Sequence, residues 1–269
     1  MTMAQIEYDV IPDDEAWVLV DEDNMSESRE HRTRSTVLES VLACRIAQTA
    51  WDAEVGCNRG LRWDPKHTRW GVDPDVYLMV PKPPAQYTQV SLRTWDAGVS
   101  PPLVAVEFVS ENNARKDYEI APDKYAASGT YELWVFDPEL LGPRLRGGPH
   151  VLQVWRRNES GRFRRVYAGD GPAHSEALSA WIVVTDDDLL RVADDDAGAR
   201  LWPTEAEAER ERAEAERERA EAERERAEAE RERAEAERAR ATQEQGRADA
   251  MAARVASLEA ELARLRAGA

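Results

Sequence analysis

The sequence predicts an α/β domain with a mixed sheet flanked by helices, followed by a long charged helix. All nine tryptophans lie at or before Trp202, and no aromatic residue follows Pro203. Only residues 1–202 can therefore build an ordinary core, and within them apolar segments of helical and strand-like period alternate, as in α/β domains. We divide residues 203–269 into a charged single helix over 203–247 and a coiled-coil-like end over 248–269.

The first predicted elements are one helix and two strands. Residues 33–51 form the helix, because apolar residues recur there on one face. These are Val37, Leu38, Val41, Leu42 and Ile46. Residues 73–80 form a short strand that Pro81 ends. Residues 103–109 are almost continuously apolar, which is typical of a strand covered on both faces.

A second helix and four more strands complete the domain. The helix is short, with Pro122 suited to its first turn and Gly129 suited to the position just after its end. Residues 81–102 are expected to be mostly loop, and residues 111–121 are polar with no helix assigned. The remaining strands are expected over residues 132–137, 151–156, 162–167 and 181–185. The middle two alternate apolar and polar side chains and predict an antiparallel hairpin.

The tail is built on a repeat of seven residues. AEAERER begins at residue 206 and recurs without interruption to residue 233, with a variant copy up to residue 240. Its alanines two positions apart lie about 200° apart around a helix, so they form no apolar seam. The repeat predicts a solvated single helix. Near the end a short a/d seam appears, which indicates either weak self-association or a frayed or partner-bound end. Its members are Met251, Val255, Leu258, Leu262 and Leu265.

The charge balance and the cysteines limit the function classes. The formal net charge is −17, and residues 1–202 hold 34 acidic and 22 basic side chains. The net negative charge of this domain repels polyanions, which argues against a protein that coats nucleic acid. A metal ion and a local basic patch can nevertheless offset the negative potential at one site. Cys44 and Cys57 show no zinc-ligand spacing. Without a signal peptide or an apolar run of membrane length, we expect a cytoplasmic protein.

Two acids occur where apolar residues are expected. Asp75 follows Pro74 near the start of the strand over 73–80, and Glu107 interrupts the apolar run over 103–109. A buried carboxylate is unfavourable unless it is paired, protonated or bound to a metal. Each acid alone would be explained by a salt bridge or a solvated strand end, but two on neighbouring strands can share a divalent cation. Such a cation can polarise a phosphodiester and activate water.

Four motifs carry a resemblance to a known family. They are Pro74-Asp75, Val106-Glu107-Phe108-Val109-Ser110, Lys124-Tyr125 and Tyr131-Glu-Leu-Trp-Val-Phe-Asp-Pro138. Their order and spacing resemble the bacterial family of putative restriction endonucleases within the PD-(D/E)XK nuclease superfamily. The resemblance implies a restriction-endonuclease-like fold and metal-dependent phosphodiester cleavage with Mg²⁺ or Mn²⁺. It also implies that Asp75 and Glu107 are metal ligands and that the carbonyl of Phe108 completes the metal site.

The resemblance also assigns the catalytic lysine. The superfamily pattern places a lysine two residues after the second acid, where this chain has Val109. Members of the family carry it on the following helix, so Lys124 takes the role. A lysine there would stabilise developing negative charge. Pro122 precedes Lys124 by two residues and can shift that helix start, which makes Lys116 the reserve candidate. Lys124 could instead be a solvated helix side chain.

Three further residues are weaker candidates. Ser110 could support Glu107 or a metal-bound water, although a strand-end serine more often caps a turn. Asp117 could pair with Lys124 or Arg115, although an exposed acid is the simpler interpretation. Glu39 on the first helix could reach the site, although solvated helix acids are common.

Two functions follow from these observations. The first is a metal-dependent endonuclease that hydrolyses phosphodiester bonds of DNA. The alternative is a catalytically inactive nuclease-fold module that acts in protein or nucleic-acid interaction through its helical tail. In either case residues 248–269 could form a homo-oligomer or bind a protein partner, and no membrane is involved.

Overall fold

The computed structural model describes residues 15–19, 28–111, 114–144 and 148–267. It confirms the predicted class: a central mixed sheet, helices against the sheet and a long C-terminal helix. The helices are α1 (Arg29–Thr49), α2 (Ala114–Glu119), α3 (Ala121–Ser128) and α4 (Glu205–Ala267). The strands are β1 (Glu54–Gly56), β2 (Leu61–Arg62), β3 (Val76–Met79), β4 (Leu92–Arg93), β5 (Val104–Phe108), β6 (Glu132–Phe136), β7 (Leu152–Arg157), β8 (Phe163–Gly169), β9 (Ala173–Ser175), β10 (Ala180–Val184) and β11 (Leu190–Ala193).

The central sheet has six strands in the order β1-β3-β5-β6-β7-β8. Only β5 and β6 run parallel, and every other neighbouring pair is antiparallel. Every residue of β5 and β6 is buried, as the continuous apolar runs predict for strands covered on both faces. The predicted hairpin over residues 151–167 is the β7–β8 pair.

Helices cover the two faces of this sheet with separate apolar clusters. On one face α1 packs through Leu38, Val41 and Leu42 against the side chains of Val106 and Phe108. On the other face α2 and α3 cover Ala105 and Val135, together with the small parallel β2–β4 sheet. The alternation along β5 sends successive side chains to opposite faces. Odd-numbered positions of β5, Glu107 among them, therefore face α2 and α3.

The helix ends follow capping rules. The Ser28 hydroxyl accepts the backbone N–H of His31 at 3.1 Å, which starts α1 at Arg29, earlier than the apolar stripe alone indicates. Gly129 ends α3 with φ of 89°, as predicted. A Cβ there would lie 2.8 Å from Cγ of Pro101, so glycine is required both for conformation and for space.

The elements that the sequence did not predict are short or carry polar residues on their buried side. The α2 helix lies within residues 111–121, for which no helix was assigned. Its buried side holds Asp117 beside Ala114 and Tyr118, so no apolar stripe reveals it. Strands β2 and β4 contain two residues each, and a periodicity of two cannot be detected over that length.

The chain forms two compact units, Met1–Ala208 and Glu209–Ala269. The first turn of α4 belongs to the first unit: Oε2 of Glu207 accepts a hydrogen bond from Nη2 of Arg191 at 2.8 Å, and the N–H of Glu205 donates to Ser40. The second unit is a helix whose described side chains are all exposed, as the repeat predicts. Within the described residues, no helix combines the length and apolarity that crossing a membrane requires.

Candidate active site

Asp75 and Glu107 face each other at one end of the β3–β5 ladder. In this antiparallel pair Val76 lies opposite Val106. Asp75 immediately precedes Val76 and Glu107 immediately follows Val106, so continuing the register by one step brings the two acids opposite one another. Directly opposite positions share a face of the sheet. The predicted juxtaposition of the two acids is therefore present in the backbone arrangement.

Both carboxylates are held by hydrogen bonds. One oxygen of Asp75, Oδ2, accepts the backbone N–H of Phe108 at 2.6 Å, and the other, Oδ1, lies 3.0 Å from Nε2 of His31. Oε1 of Glu107 accepts the hydroxyl of Tyr125 at 2.6 Å. The Asp75 side chain is 15% exposed and Glu107 is 5% exposed. Both side chains are thus mostly buried, and Asp75 is the more exposed of the two.

A third acid, Asp117 of α2, joins the pair electrostatically. Burial raises the pKa of Glu107 well above its usual range, and the charges of Asp75 and Asp117 raise it further. Burial likewise raises the pKa of Asp117 to about 8, and Asp75 contributes to that shift. Three carboxyl groups that repel one another in a buried place are an arrangement that a cation stabilises. The expectation that Asp117 is an exposed acid is wrong, because Asp117 is only 4% exposed.

The two candidate lysines lie on different helices. The ammonium of Lys116 on α2 lowers the pKa of both Glu107 and Asp117, which makes it an electrostatic neighbour of the acids. Lys124 on α3 is 3% exposed, so it is not a solvated helix side chain. It directly precedes Tyr125, and adjacent helix positions point about 100° apart. Its neighbour Tyr125 donates its hydroxyl to Glu107.

The other predicted residues occupy the margins of the site. Phe108 supplies the backbone N–H that binds Asp75, and Val109 is buried in the apolar cluster beneath α2 and α3. Ser110 follows β5 and is half-buried. Glu39 lies on α1 eight residues after His31, about 12 Å along the helix axis at 1.5 Å per residue. That spacing puts Glu39 away from the residue of α1 that contacts Asp75.

These residues fit a hydrated hard cation. Among the described residues, no three side chains from His, Cys, Asp and Glu are gathered as a metal centre. Mg²⁺ does not need such a cage, because it commonly keeps several waters and binds one or two carboxylates. Asp75 and Glu107 provide oxygen donors of this kind, and each carboxylate oxygen can accept more than one interaction.

Two contacts at the site were not predicted from the sequence, that of Tyr125 with Glu107 and that of His31 with Asp75. Tyr125 stands in the Lys-Tyr motif, and its spacing from Glu107 offers no signal that its hydroxyl reaches that carboxylate. His31 lies 44 positions from Asp75 along the chain. Both contacts depend on how helices pack on the sheet, which local periodicity does not determine.

Two further acids in the Tyr131–Pro138 motif have structural partners. Glu132 is fully buried and accepts hydrogen bonds from Nε1 of Trp134 at 2.8 Å and Nε of Arg156 at 3.0 Å. Asp137, also fully buried, accepts the backbone N–H groups of residues 141 and 142 and the hydroxyl of Tyr118. Glu132 and Asp137 thus stabilise opposite ends of β6, and Asp137 lies at the end where β6 pairs with Glu107 of β5.

Comparison with known proteins identifies the family of this chain. A solved structure similar to this chain is that of a putative nuclease belonging to DUF820 from Anabaena variabilis ATCC 29413, with 12% identity and a TM-score of 0.40. The match covers 57% of this chain and 75% of that one. No curated protein matches the sequence. A family model does match, over residues 5–196, and its description is putative restriction endonuclease. Since this match spans well over half of the chain, the protein belongs to the Uma2 family of putative restriction endonucleases.

Proposed function

We propose that this protein is a divalent-metal-dependent endonuclease that hydrolyses phosphodiester bonds of DNA in the cytoplasm. The observation that carries the proposal is the pairing of Asp75 with Glu107 across the end of the β3–β5 ladder. Family membership supports nuclease chemistry in general. The metal dependence and the choice of DNA come from the acid pair and from the resemblance.

Asp75 and Glu107 would hold Mg²⁺ or Mn²⁺, with the carbonyl of Phe108 as a third oxygen donor. When bound, the metal supplies Lewis acidity toward the phosphate and lowers the pKa of a bound water. His31 and the N–H of Phe108 fix the orientation of the Asp75 carboxylate. Tyr125 does the same for Glu107. Ligands held by such outer partners are preorganised for binding.

An amine beside the acids would stabilise the negative charge that develops on the phosphate. The resemblance favours Lys124 for this role, whereas the electrostatic influence on Glu107 and Asp117 favours Lys116. Replacing each lysine separately with methionine distinguishes them. The catalytic lysine is the one whose loss lowers the cleavage rate without weakening Mn²⁺ binding.

The experiment that tests the function compares wild type with Glu107→Gln on supercoiled plasmid and on single-stranded DNA, with Mg²⁺ or Mn²⁺. Glutamine keeps the size of the side chain and an oxygen for Tyr125. Loss of an outer partner of a metal ligand typically lowers activity 10- to 100-fold, so loss of a ligand should lower cleavage by at least about 100-fold. Equal cleavage by both proteins identifies a contaminating nuclease and refutes the proposal.

A second proposal concerns the tail. We propose that residues 248–269 self-associate weakly through the a/d seam. Its four described members are exposed by 48% to 72%, which is unusual for large apolar side chains unless a partner covers them. They are Met251, Val255, Leu258 and Leu262. In sedimentation experiments Leu258→Lys should remove a concentration-dependent dimer that Ala256→Lys leaves unchanged.

A further inference from the structure

One segment of the acidic domain reverses the local charge. Residues 59–70 contain four basic side chains and one acid, Asp64, in a domain where acids outnumber basic residues by 34 to 22. The basic residues are Arg59, Arg62, Lys66 and Arg69. His67 and Trp63 lie between them, and Trp70 follows Arg69. We call residues 62–70 the basic loop.

The basic loop has a defined conformation. The backbone N–H of Lys66 donates to Oδ1 of Asp64 at 2.8 Å, and Nδ1 of His67 lies 2.8 Å from Oδ2 of the same carboxylate. The N–H of Trp70 closes the loop on the carbonyl of His67 at 2.8 Å. The single acid is therefore engaged with the loop's own polar groups. The loop is preorganised, which reduces the entropy lost when a ligand binds.

Aromatic rings support the loop from beneath. The His67 ring stacks on Trp70 at a centroid distance of 4.0 Å, and Trp17 meets Trp70 edge-on at 5.1 Å. Trp70 is buried, whereas Lys66, His67 and Arg69 are exposed. The exposed positive side chains are thus next to a cluster of packed aromatic rings.

Arg62 extends the positive surface onto the β2–β4 sheet. Its guanidinium donates to two acceptors that carry no charge, the hydroxyl of Ser91 at 3.2 Å and the carbonyl of Thr68 at 2.9 Å. On the neighbouring strand Arg93 lies directly opposite Arg62. Like charges in opposite positions are unfavourable on their own. An anionic ligand would offset this repulsion.

The loop leads directly into the candidate active site. Trp70 and Asp75 are five positions apart, so their Cα atoms lie at most about 17 Å apart. At the other end of the segment, the N–H of Asn58 donates to the carbonyl of Pro74 at 3.0 Å, next to Asp75. Phosphates of one DNA strand follow one another at about 3.4 Å along the helix axis. A strand whose scissile phosphate lies at Asp75 would therefore place its next few phosphates within reach of the loop.

We propose that the basic loop binds the phosphate backbone of DNA beside the cleavage site. Lys66 and Arg69 would contact the phosphates, and Arg62 would add to the positive charge of the loop. This inference rests on the proposed function for its choice of ligand. It explains how a domain with an acidic surface can approach a polyanion from one side. The positive segment would supply a local attraction that the total charge opposes.

The test measures binding without cleavage. A fluorescein-labelled duplex of 20 base pairs and a single strand of the same sequence are titrated with the full chain in EDTA, and anisotropy is followed at several salt concentrations. The test variant is Lys66→Ala/Arg69→Ala. A matched control is Arg224→Ala/Arg226→Ala in the tail, which removes the same charge from exposed positions. A second control, Lys66→Arg/Arg69→Lys, keeps the charge of the loop.

Each lost phosphate contact lowers the slope of log K against log salt by about 0.9. The test variant should therefore lose about 2 from this slope and bind at least about 10-fold more weakly near 0.1 M salt, while both controls stay within about twofold of wild type. An unchanged slope, equal weakening by the tail control, or no DNA binding by wild type would overturn the inference. Because this test does not measure cleavage, failure of the nuclease proposal gives a different combination of results: the expected slope change here, and no metal-dependent cutting in the plasmid experiment.

Discussion

Replacing Asp117 with asparagine should stabilise the protein, and the gain should grow with pH. Asp117 is 4% exposed, and its pKa is raised from 3.8 to about 8 by burial first and by the charge of Asp75 second. A carboxyl group whose pKa is higher in the folded state binds a proton more tightly there. Between pH 3.8 and about 8 the unfolded chain has already lost this proton, so stability falls as the pH rises.

The magnitude follows from the linkage relation. Each unit of pH within that window removes about 1.4 kcal/mol from the free energy of unfolding. From pH 5 to pH 8 the upper limit is about 4 kcal/mol, and because Glu107 is coupled to the same cluster we expect about 2 to 4 kcal/mol. Asparagine does not ionise, so the free energy of unfolding of Asp117→Asn should not show this decrease between pH 5 and pH 8.

Urea unfolding in EDTA at pH 5, 6, 7 and 8 measures the effect. The difference in free energy of unfolding between Asp117→Asn and wild type should be smallest at pH 5 and widen at each step. Asp186→Asn, at an exposed position, serves as a control and should follow wild type at every pH. Parallel curves for wild type and Asp117→Asn would refute the reasoning, since they would mean that Asp117 ionises alike in both states.

Three other substitutions give separate predictions. Burial raises the pKa of Asp123 to about 6, and its Oδ1 has no hydrogen-bond partner among the described residues. Asp123→Asn should therefore raise the free energy of unfolding by about 1 to 2 kcal/mol at pH 8 and by much less at pH 4. Urea unfolding at the two pH values measures this difference. Tyr125→Phe removes the donor to Glu107 and should weaken Mn²⁺ binding about 10- to 100-fold by calorimetry. Asp137→Ala leaves three donors without their carboxylate and should lower stability by about 3 kcal/mol, while Mn²⁺ affinity stays within about threefold.

Each of these predictions has its own contrary result. An equal gain at both pH values would show that Asp123 acts through packing rather than charge. Unchanged Mn²⁺ affinity in Tyr125→Phe would mean that the tyrosine only fills space. A large loss of Mn²⁺ affinity in Asp137→Ala, at a temperature where the variant is folded, would contradict the structural role assigned to that acid.

The sequence predicted the parts of the fold that rest on periodicity and end signals. The apolar stripe at Leu38, Val41 and Leu42 indicated α1, and all three side chains are buried. The unbroken apolar run that contains Glu107 indicated a central strand, and Gly129 marked the end of α3 because it needs a positive φ. These signals are local, so one sequence is enough to detect them.

The parts that sequence reasoning missed depend on tertiary packing. The hydroxyl of Tyr125 reaches Glu107 only because α3 lies across the sheet, and His31 reaches Asp75 only because α1 begins beside the end of β3. Asp117 looked like a solvated acid because its helix has no apolar stripe. A buried polar group is satisfied by partners far along the chain, and their identity does not follow from spacing.

The central claim is that Asp75 and Glu107 share one divalent cation, and anomalous scattering from crystals soaked in Mn²⁺ tests it most directly. We predict a peak within about 2.0 to 2.2 Å of oxygens from both carboxylates, close to the distance for small hard cations. The same peak should be lost in Glu107→Gln crystals. A wild-type crystal that shows Mn²⁺ elsewhere and no density between these two acids would contradict the account.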